Sequence, residues 1–303
     1  FSLLIGLFIS NIFSIPKWLK ESLSSELFVK IGLVLLGTTV LFDDLLKAGA
    51  LGLIQSCVVV FTVWNFCFWL CRKMKIDKEM SLMLSSAVSI CGVSAAVATA
   101  GAIKGDKTKL SYVVSLVLVV AVPMILIMPG LAKLMGLPED MAGAWIGGTI
   151  DTTGAVAATG AIYGEVALQT RTIVKFSQNV LLGVAAFLIS IYWSYSKKEV
   201  TEEKPTLKVI WLRFPKFVLG FVAASLVFSF CVAPEVVSDA KPILKNIQGM
   251  WFALAFMSIG LETDFKSLIT SENRRSTYAF LGAQAFNVVF TLLVAWILFG
   301  LIA

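Results

Sequence analysis

The chain has 303 residues, of which 58% are apolar and 15% charged, and its mean hydropathy is +0.89. Soluble domains sit near about 45–50% apolar and about 25% charged, so the composition excludes an ordinary soluble domain and implies helices that meet lipid. The net charge of +6 lies in short clusters such as Arg72, Lys73, Lys75 and Lys78, with no basic stripe interleaved with aromatics, which excludes a nucleic-acid partner.

Apolar runs of spanning length predict an all-α polytopic membrane protein with about ten spans. They fall at 1–15, 27–49, 51–71, 80–103, 111–135, 141–162, 171–195, 209–233, 246–263 and 277–302. The first run opens at Phe1, so residues are expected before it. A single transmembrane domain over 1–303 is expected, with halves 1–195 and 209–303 joined by the charged loop 196–208, which holds Lys197, Lys198, Glu199, Glu202, Glu203 and Lys204. Basic clusters at Lys17/Lys20, Arg72/Lys73/Lys75/Lys78, Lys197/Lys198/Lys204 and Lys266/Arg274/Arg275 place that loop on the cytoplasmic side of an inner (plasma) membrane. Lys104, Lys107 and Lys109 fall on the wrong side of this scheme, which implies that one segment does not cross fully. Most tryptophans, including Trp18, Trp145, Trp193 and Trp211, fall near span ends as interface anchors do. Pro123, Pro129, Pro138 and Pro215 mark kinks or hinges.

Two internal echoes point to repeats. Residues 96–105 read AVATAGAIKG and 155–164 read AVAATGAIYG, identical at seven of ten positions and each followed by an acid, Asp106 and Glu165. A weaker echo sets Gly37, Phe42 and Leu45 beside Gly260, Phe265 and Leu268, and Gly6 beside Gly220. The weaker pair lies an odd number of spans apart, the mark of inverted repeats in secondary transporters. Chance likeness between apolar helices is the alternative.

Two mid-span segments combine glycine with small hydroxyl residues. One is 85–96, with Ser89, Cys91, Gly92 and Ser94; the other is 147–155, with Thr149, Asp151, Thr152 and Thr153. Such composition predicts two crossing, glycine-broken helices whose restarting ends offer bare N–H groups to an anion. Tight helix packing is the competing reading. Asp151 is an intramembrane carboxylate and the candidate for ion coupling, by Na+ or H+, with a helix end in a wet vestibule as the competing reading. Lys175 and Asn179 share a helix face; Lys175 could pair with Asp151, neutralise an anion or snorkel to headgroups. Asn65, Gln284 and Asn287 read as interhelical hydrogen bonds, and Asp43, Asp44, Glu262 and Asp264 as solvated span ends.

Histidine is absent, no phosphate-binding GxxxxGK[ST] loop occurs, and Cys57, Cys67, Cys71, Cys91 and Cys231 form no CxxC pair. No enzyme activity, metal or cofactor is therefore expected. The expected partners are the lipid bilayer and a small anion, with a homodimer open as the assembly. A cation/proton exchanger using Asp151 is the first alternative; a channel, or a non-transporting sensor or scaffold, is the alternative of another class.

The run Ser89-Ile90-Cys91-Gly92-Val93-Ser94-Ala95 resembles the signature of the YeiH-type family, multi-span membrane proteins that carry the label of sulfate exporters. Further likeness lies in 32–37, 148–160, Val174-Lys175-Phe176 with Asn179, 215–221 and 258–261, in order along nearly the whole chain. The resemblance implies an inner-membrane transporter of sulfate or a related anion, distantly similar to bile-acid:sodium symporters and sodium/proton antiporters. It also implies at least one more hydrophobic segment before Phe1. Many members carry a His-Glu pair followed by Gln where this chain has Asp151, Thr152 and Ala155, so substrate or coupling ion could differ here.

Overall fold

The computed structural model describes residues 2–12, 24–40, 42–159, 163–196, 211, 214, 216–262 and 274–302. Lys17, Trp18, Lys20, the loop 197–208, residues 160–162 of the second repeat, Pro215, Asp264, Phe265, Lys266 and Leu268 lie outside them, as do the side chains of Asp43, Asp44 and Glu262. Among the described residues the regular structure is entirely helical. The helices are α1 (Ser2–Ile12), α2 (Ser25–Gly37), α3 (Phe42–Lys73), α4 (Lys78–Ser86, continued by a π turn at Ala87–Cys91), α5 (Val93–Ile103), α6 (Lys107–Leu134), α7 (Glu139–Thr149), α8 (Thr153–Ala158), α9 (Glu165–Ser196), α10 (Lys216–Leu226, with a π turn at Val227–Cys231), α11 (Pro234–Glu262) and α12 (Arg274–Ala295, with a π turn at Trp296–Ile302).

Among the described residues four stretches are long and apolar enough to cross a membrane: Ala48–Lys73, Lys107–Leu134, Glu165–Trp193 and Arg274–Leu301. Their outward faces stay apolar, with Phe61 73% and Val289 69% exposed. Water would oppose such a surface and lipid accepts it. The expected boundary near residue 50 moves to residues 38–40. There Thr38 and Thr39 turn their hydroxyls back onto the carbonyls of Leu35 and Leu36, at 2.7 and 2.9 Å, and end α2. Gly49 and Gly52 instead lie inside α3, where Gly52 lets that helix approach Val174 of α9.

The two broken segments do not run straight through the molecule. Lys109 Nζ, at the start of α6, reaches Asp77 and Glu79 at the start of α4, at 2.8 and 2.9 Å. The Asp106 N–H also donates to Glu79. The end of α5 therefore lies beside the start of α4, and 78–103 is a hairpin. Likewise the Val166 N–H, where α9 opens, donates to Glu139 Oε2 at the start of α7, at 3.2 Å. α7 and α9 run parallel, Gly143 facing Ala167 and Gly147 facing Arg171 so closely that a Cβ on either glycine would overlap backbone. Tyr163, just before α9, donates to the Leu137 carbonyl just before α7, so α7 and α8 form a second hairpin.

This arrangement explains the misplaced lysines. Tyr112 and Thr277 share a hydrogen bond of 2.7 Å, and Phe286 stacks on Phe66 with ring centroids 4.0 Å apart. The starts of α6 and α12 thus lie with the end of α3. Lys104, Lys107 and Lys109 therefore sit on the same face as Arg72, Lys73, Lys75, Arg274 and Arg275. α9 runs parallel to α3, with Phe68 against Tyr192, so its end reaches this basic face too.

Candidate functional site

Serine chemistry shapes the first hairpin tip. Ser81, Ser85 and Ser89, spaced four apart, each donate to the carbonyl four residues back (Asp77, Ser81 and Ser85), at 2.7 Å. Such back-bonding loosens a helix, and here the last turn widens to a π turn over Ala87–Cys91. Gly92 then takes φ 59°, ψ −112°, a conformation for which glycine is suited, and α5 restarts with no side-chain cap. In the second hairpin α7 ends at the extended Ile150. Thr152 restarts the chain, its Oγ1 accepting from the Ala155 N–H at 3.2 Å.

The tips meet. A Cβ on Gly92 would lie 3.2 Å from the Asp151 carbonyl oxygen and from Thr152 Cγ2. The expected crossing of two broken helices is therefore a tip-to-tip meeting of two hairpins, because each break reverses the chain instead of interrupting a straight span.

A broken helix leaves its last carbonyls unpaired, and polar side chains from α9 and α12 take them up. Lys175, only 1% exposed, donates from one ammonium to the carbonyls of Ile90 in the first tip and Ile150 in the second, at 2.7 and 2.9 Å. Its third proton goes to Gln178 Oε1 at 2.9 Å, and Gln178 donates in turn to the Gly148 carbonyl at 2.9 Å. From α12, Gln284 Nε2 reaches the Thr149 carbonyl at 3.0 Å. Asn287 Nδ2 lies 3.1 and 3.3 Å from the carbonyls of Val88 and Thr149. Lys175 and Asn287 each join both tips. A fixed cation at two helix C-termini is also favoured by the dipoles that converge there. Burial excludes snorkelling for Lys175, and it makes no ion pair with Asp151.

Asp151 is 2% exposed, and neither of its carboxyl oxygens has a hydrogen-bond partner among the described residues. Lys175 is the charge that acts on it, without touching it. Thr149 Oγ1, Gln284 Oε1, Gln55 Oε1 and Asn179 Oδ1 are likewise buried and unpartnered.

The other face of the meeting point differs. Ser94, in the uncapped first turn of α5, is exposed, and Thr152, Thr153 and Gly154 are half-buried. Thr153 Oγ1 accepts from Asn179 Nδ2 at 3.1 Å. The tips thus have a closed carbonyl side held by Lys175 and an accessible side of N–H groups and hydroxyls. Ser94, Thr152 and Thr153 lie on the accessible side, while Asn179, which bonds to Thr153, is buried. Ser89 and Cys91 are buried, and the Ser89 hydroxyl is committed to its own helix. Asn65 also bonds within its own helix, to the Phe61 carbonyl at 2.7 Å, instead of across helices. Trp145 is no interface anchor: it is buried and donates to the Val288 carbonyl at 2.8 Å.

Gln284 and Asn287 make the interhelical hydrogen bonds expected of them, whereas sequence reasoning gave no role to Gln178, which also holds the tips, or to Arg171, a guanidinium 0% exposed one turn before Lys175. The four-residue spacing of Arg171 and Lys175 was the signal that could have found it.

The family described as Conserved hypothetical protein 698 matches residues 1–279. A UPF0324 membrane protein of Rhodopirellula baltica is 40% identical over 99% of this chain and 57% of its own length. Another, of Nitratidesulfovibrio vulgaris, is 38% identical over 99% of this chain and 54% of its own. A third, of Nitrosomonas europaea, is 30% identical over 88% and 62%. The chain thus spans between 54% and 62% of the length of these curated relatives. No solved structure matches it. With the YeiH-type signature at Ser89–Ala95 sitting on the first hairpin tip and the match running through both hairpins, the chain belongs to the UPF0324 family of membrane proteins.

Proposed function

We propose that the chain is a secondary active transporter of a small anion, of the sulfate or related sulfur-oxyanion class, coupled to Na+ or H+ in the inner membrane, and not an enzyme. The observation that carries this reading is the polarity of the tip contact. Lys175, Gln178, Gln284 and Asn287 neutralise the carbonyl ends, while Ser94 in the uncapped first turn of α5 is exposed and Thr152 and Thr153 are half-buried, with the buried Asn179 bonded to Thr153. Helix N-termini offer unpaired N–H groups and a positive dipole end, and anions bind there.

Inverted repeats fit the same reading. Gly6 of α1 packs on Gly260 of α11, and Gly37 of α2 packs on the backbone of Phe221 in α10. Exchanging α1 with α10 and α2 with α11, the partners of the weaker echo, maps one contact onto the other. The stronger echo relates the two hairpins, which enter from opposite faces. On this reading eight of the described helices cross and the two hairpins do not, against the ten spans expected from hydropathy.

Asp151 gives coupling its place: its buried carboxyl oxygens are open to a proton or a small cation. The same observation favours the second reading, a cation/proton exchanger. Uptake of labelled sulfate into proteoliposomes of the full-length protein separates the two. Accumulation driven by a Na+ or pH gradient, lost in Asp151→Asn while sulfate/sulfate exchange persists, supports coupled anion transport. Cation or proton flux without transport of sulfate, sulfite or thiosulfate puts the exchanger first.

A further inference from the structure

Arg171 lies on α9 one turn before Lys175, yet it takes no part in holding the hairpin tips. Its side chain is 0% exposed. Nη1 donates to Thr159 Oγ1 at 3.0 Å, at the end of α8. Thr159 is held in turn, its hydroxyl donating to the Val156 carbonyl at 2.7 Å. The remaining edge of the guanidinium, Nε and Nη2, is buried and has no hydrogen-bond partner among the described residues.

A buried guanidinium without a counter-charge is costly, and natural proteins pair such groups. The acids that open α7 and α9 have other partners, and Asp151 at the second tip does not bond to it. Glu139 accepts from the Val166 N–H, and Glu165 pairs with Lys245 at 2.7 Å. Among the described residues no carboxylate bonds to Arg171.

The bare edge also has a shape. Nε–H and one Nη2–H point the same way in one plane, forming the fork that matches two oxygens of a carboxylate or tetrahedral oxyanion. A halide would fill only one point of it. We infer that Arg171, oriented by Thr159, is a bidentate binding site for an oxyanion, separate from the accessible side of the hairpin tips. This deepens the transport reading by naming the anion's chemistry, but it stands on different residues.

The test is thermal unfolding of the full-length protein in detergent, titrated with millimolar sulfate, acetate or chloride at constant ionic strength. A ligand that binds the folded state raises Tm saturably. The wild type is expected to respond to sulfate or acetate and not to chloride. Arg171→Lys keeps the charge but loses the fork, so its apparent affinity should fall about tenfold or more, the scale of one charge-assisted hydrogen bond. Thr159→Val, which keeps the side-chain shape and frees the guanidinium, should weaken the response in the same direction and covers the case in which Arg171→Lys fails to fold.

A wild type without a saturable oxyanion response overturns the inference, as does an undiminished response in both variants. Thr152→Val, run in parallel, distinguishes the two sites. If it alone loses the response, Arg171 is not the site and the tip reading survives. If Arg171→Lys loses it and Thr152→Val keeps it, the inference stands and the tips lose their claim to this anion.

Discussion

Lys175 satisfies three acceptors that no water can reach, two of them the last carbonyls of different hairpins. Lys175→Met removes all three hydrogen bonds at once. Each orphaned buried group costs about 1–3 kcal/mol, about 3–9 kcal/mol for the three, so Tm in detergent should fall by roughly 6 °C or more, with sulfate uptake lost at temperatures where the variant is still folded. Gly92 is the other residue with no substitute. A Cβ there would lie 2.7 Å from Val117 Cγ1, and the backbone φ of 59° with ψ −112° is costly for any side chain. Gly92→Ala should cost about 1–3 kcal/mol from strain alone, read as a lower unfolding temperature, and should abolish uptake. Gly92, Asp151 and Lys175 could be singled out in the sequence, because a charge is expensive inside an apolar run and glycine weakens its helix. Their partners could not, since Ile90, Ile150 and Gly148 contribute only backbone carbonyls, which every residue has.

The first hairpin is closed at its base by a clamp outside the apolar layer. Lys109 joins Asp77 and Glu79, while Asp77 caps α4 through the Met80 N–H at 3.1 Å. Partial burial pushes the Asp77 carboxyl up, but the Lys109 ammonium and the Met80 and Glu79 amides outweigh it and hold it below the ordinary carboxylate range. Because the folded value lies below the unfolded one, this clamp contributes stability above about pH 4 and loses it as pH falls through the folded value. Melting curves of the wild type between about pH 5 and 2.5 should show that loss. Lys109→Met should flatten the part of the slope due to Asp77 and lower Tm near neutral pH. At this scale the sequence misled in an instructive way. Hydropathy measures length and apolarity, and a hairpin of 78–103 has enough of both to look like a span. Only the three displaced lysines, Lys104, Lys107 and Lys109, carried the information that the chain turns back.

For the whole molecule, the two hairpins decide topology. In a cysteine-free background, single cysteines at Lys75 and Lys104 should react with an impermeant maleimide from the same side of the membrane, and one at Gly136 from the opposite side. Labelling of Lys75→Cys and Lys104→Cys from opposite sides would restore the straight-through segment. The helical class and most helix positions were readable from apolar run length, whereas the joint between the hairpins was not, because its partners on α9 and α12 lie far apart in sequence. That joint has an electrical consequence. Lys175 and Asn287 each bond to both tips, so a displacement that keeps these bonds carries the two hairpin ends together with the ammonium between them. A unit charge feels about 2.3 kcal/mol for every 100 mV it crosses. Unless Asp151 is ionised and travels with it, the resting voltage of the cell would favour one position of the unloaded tips over the other.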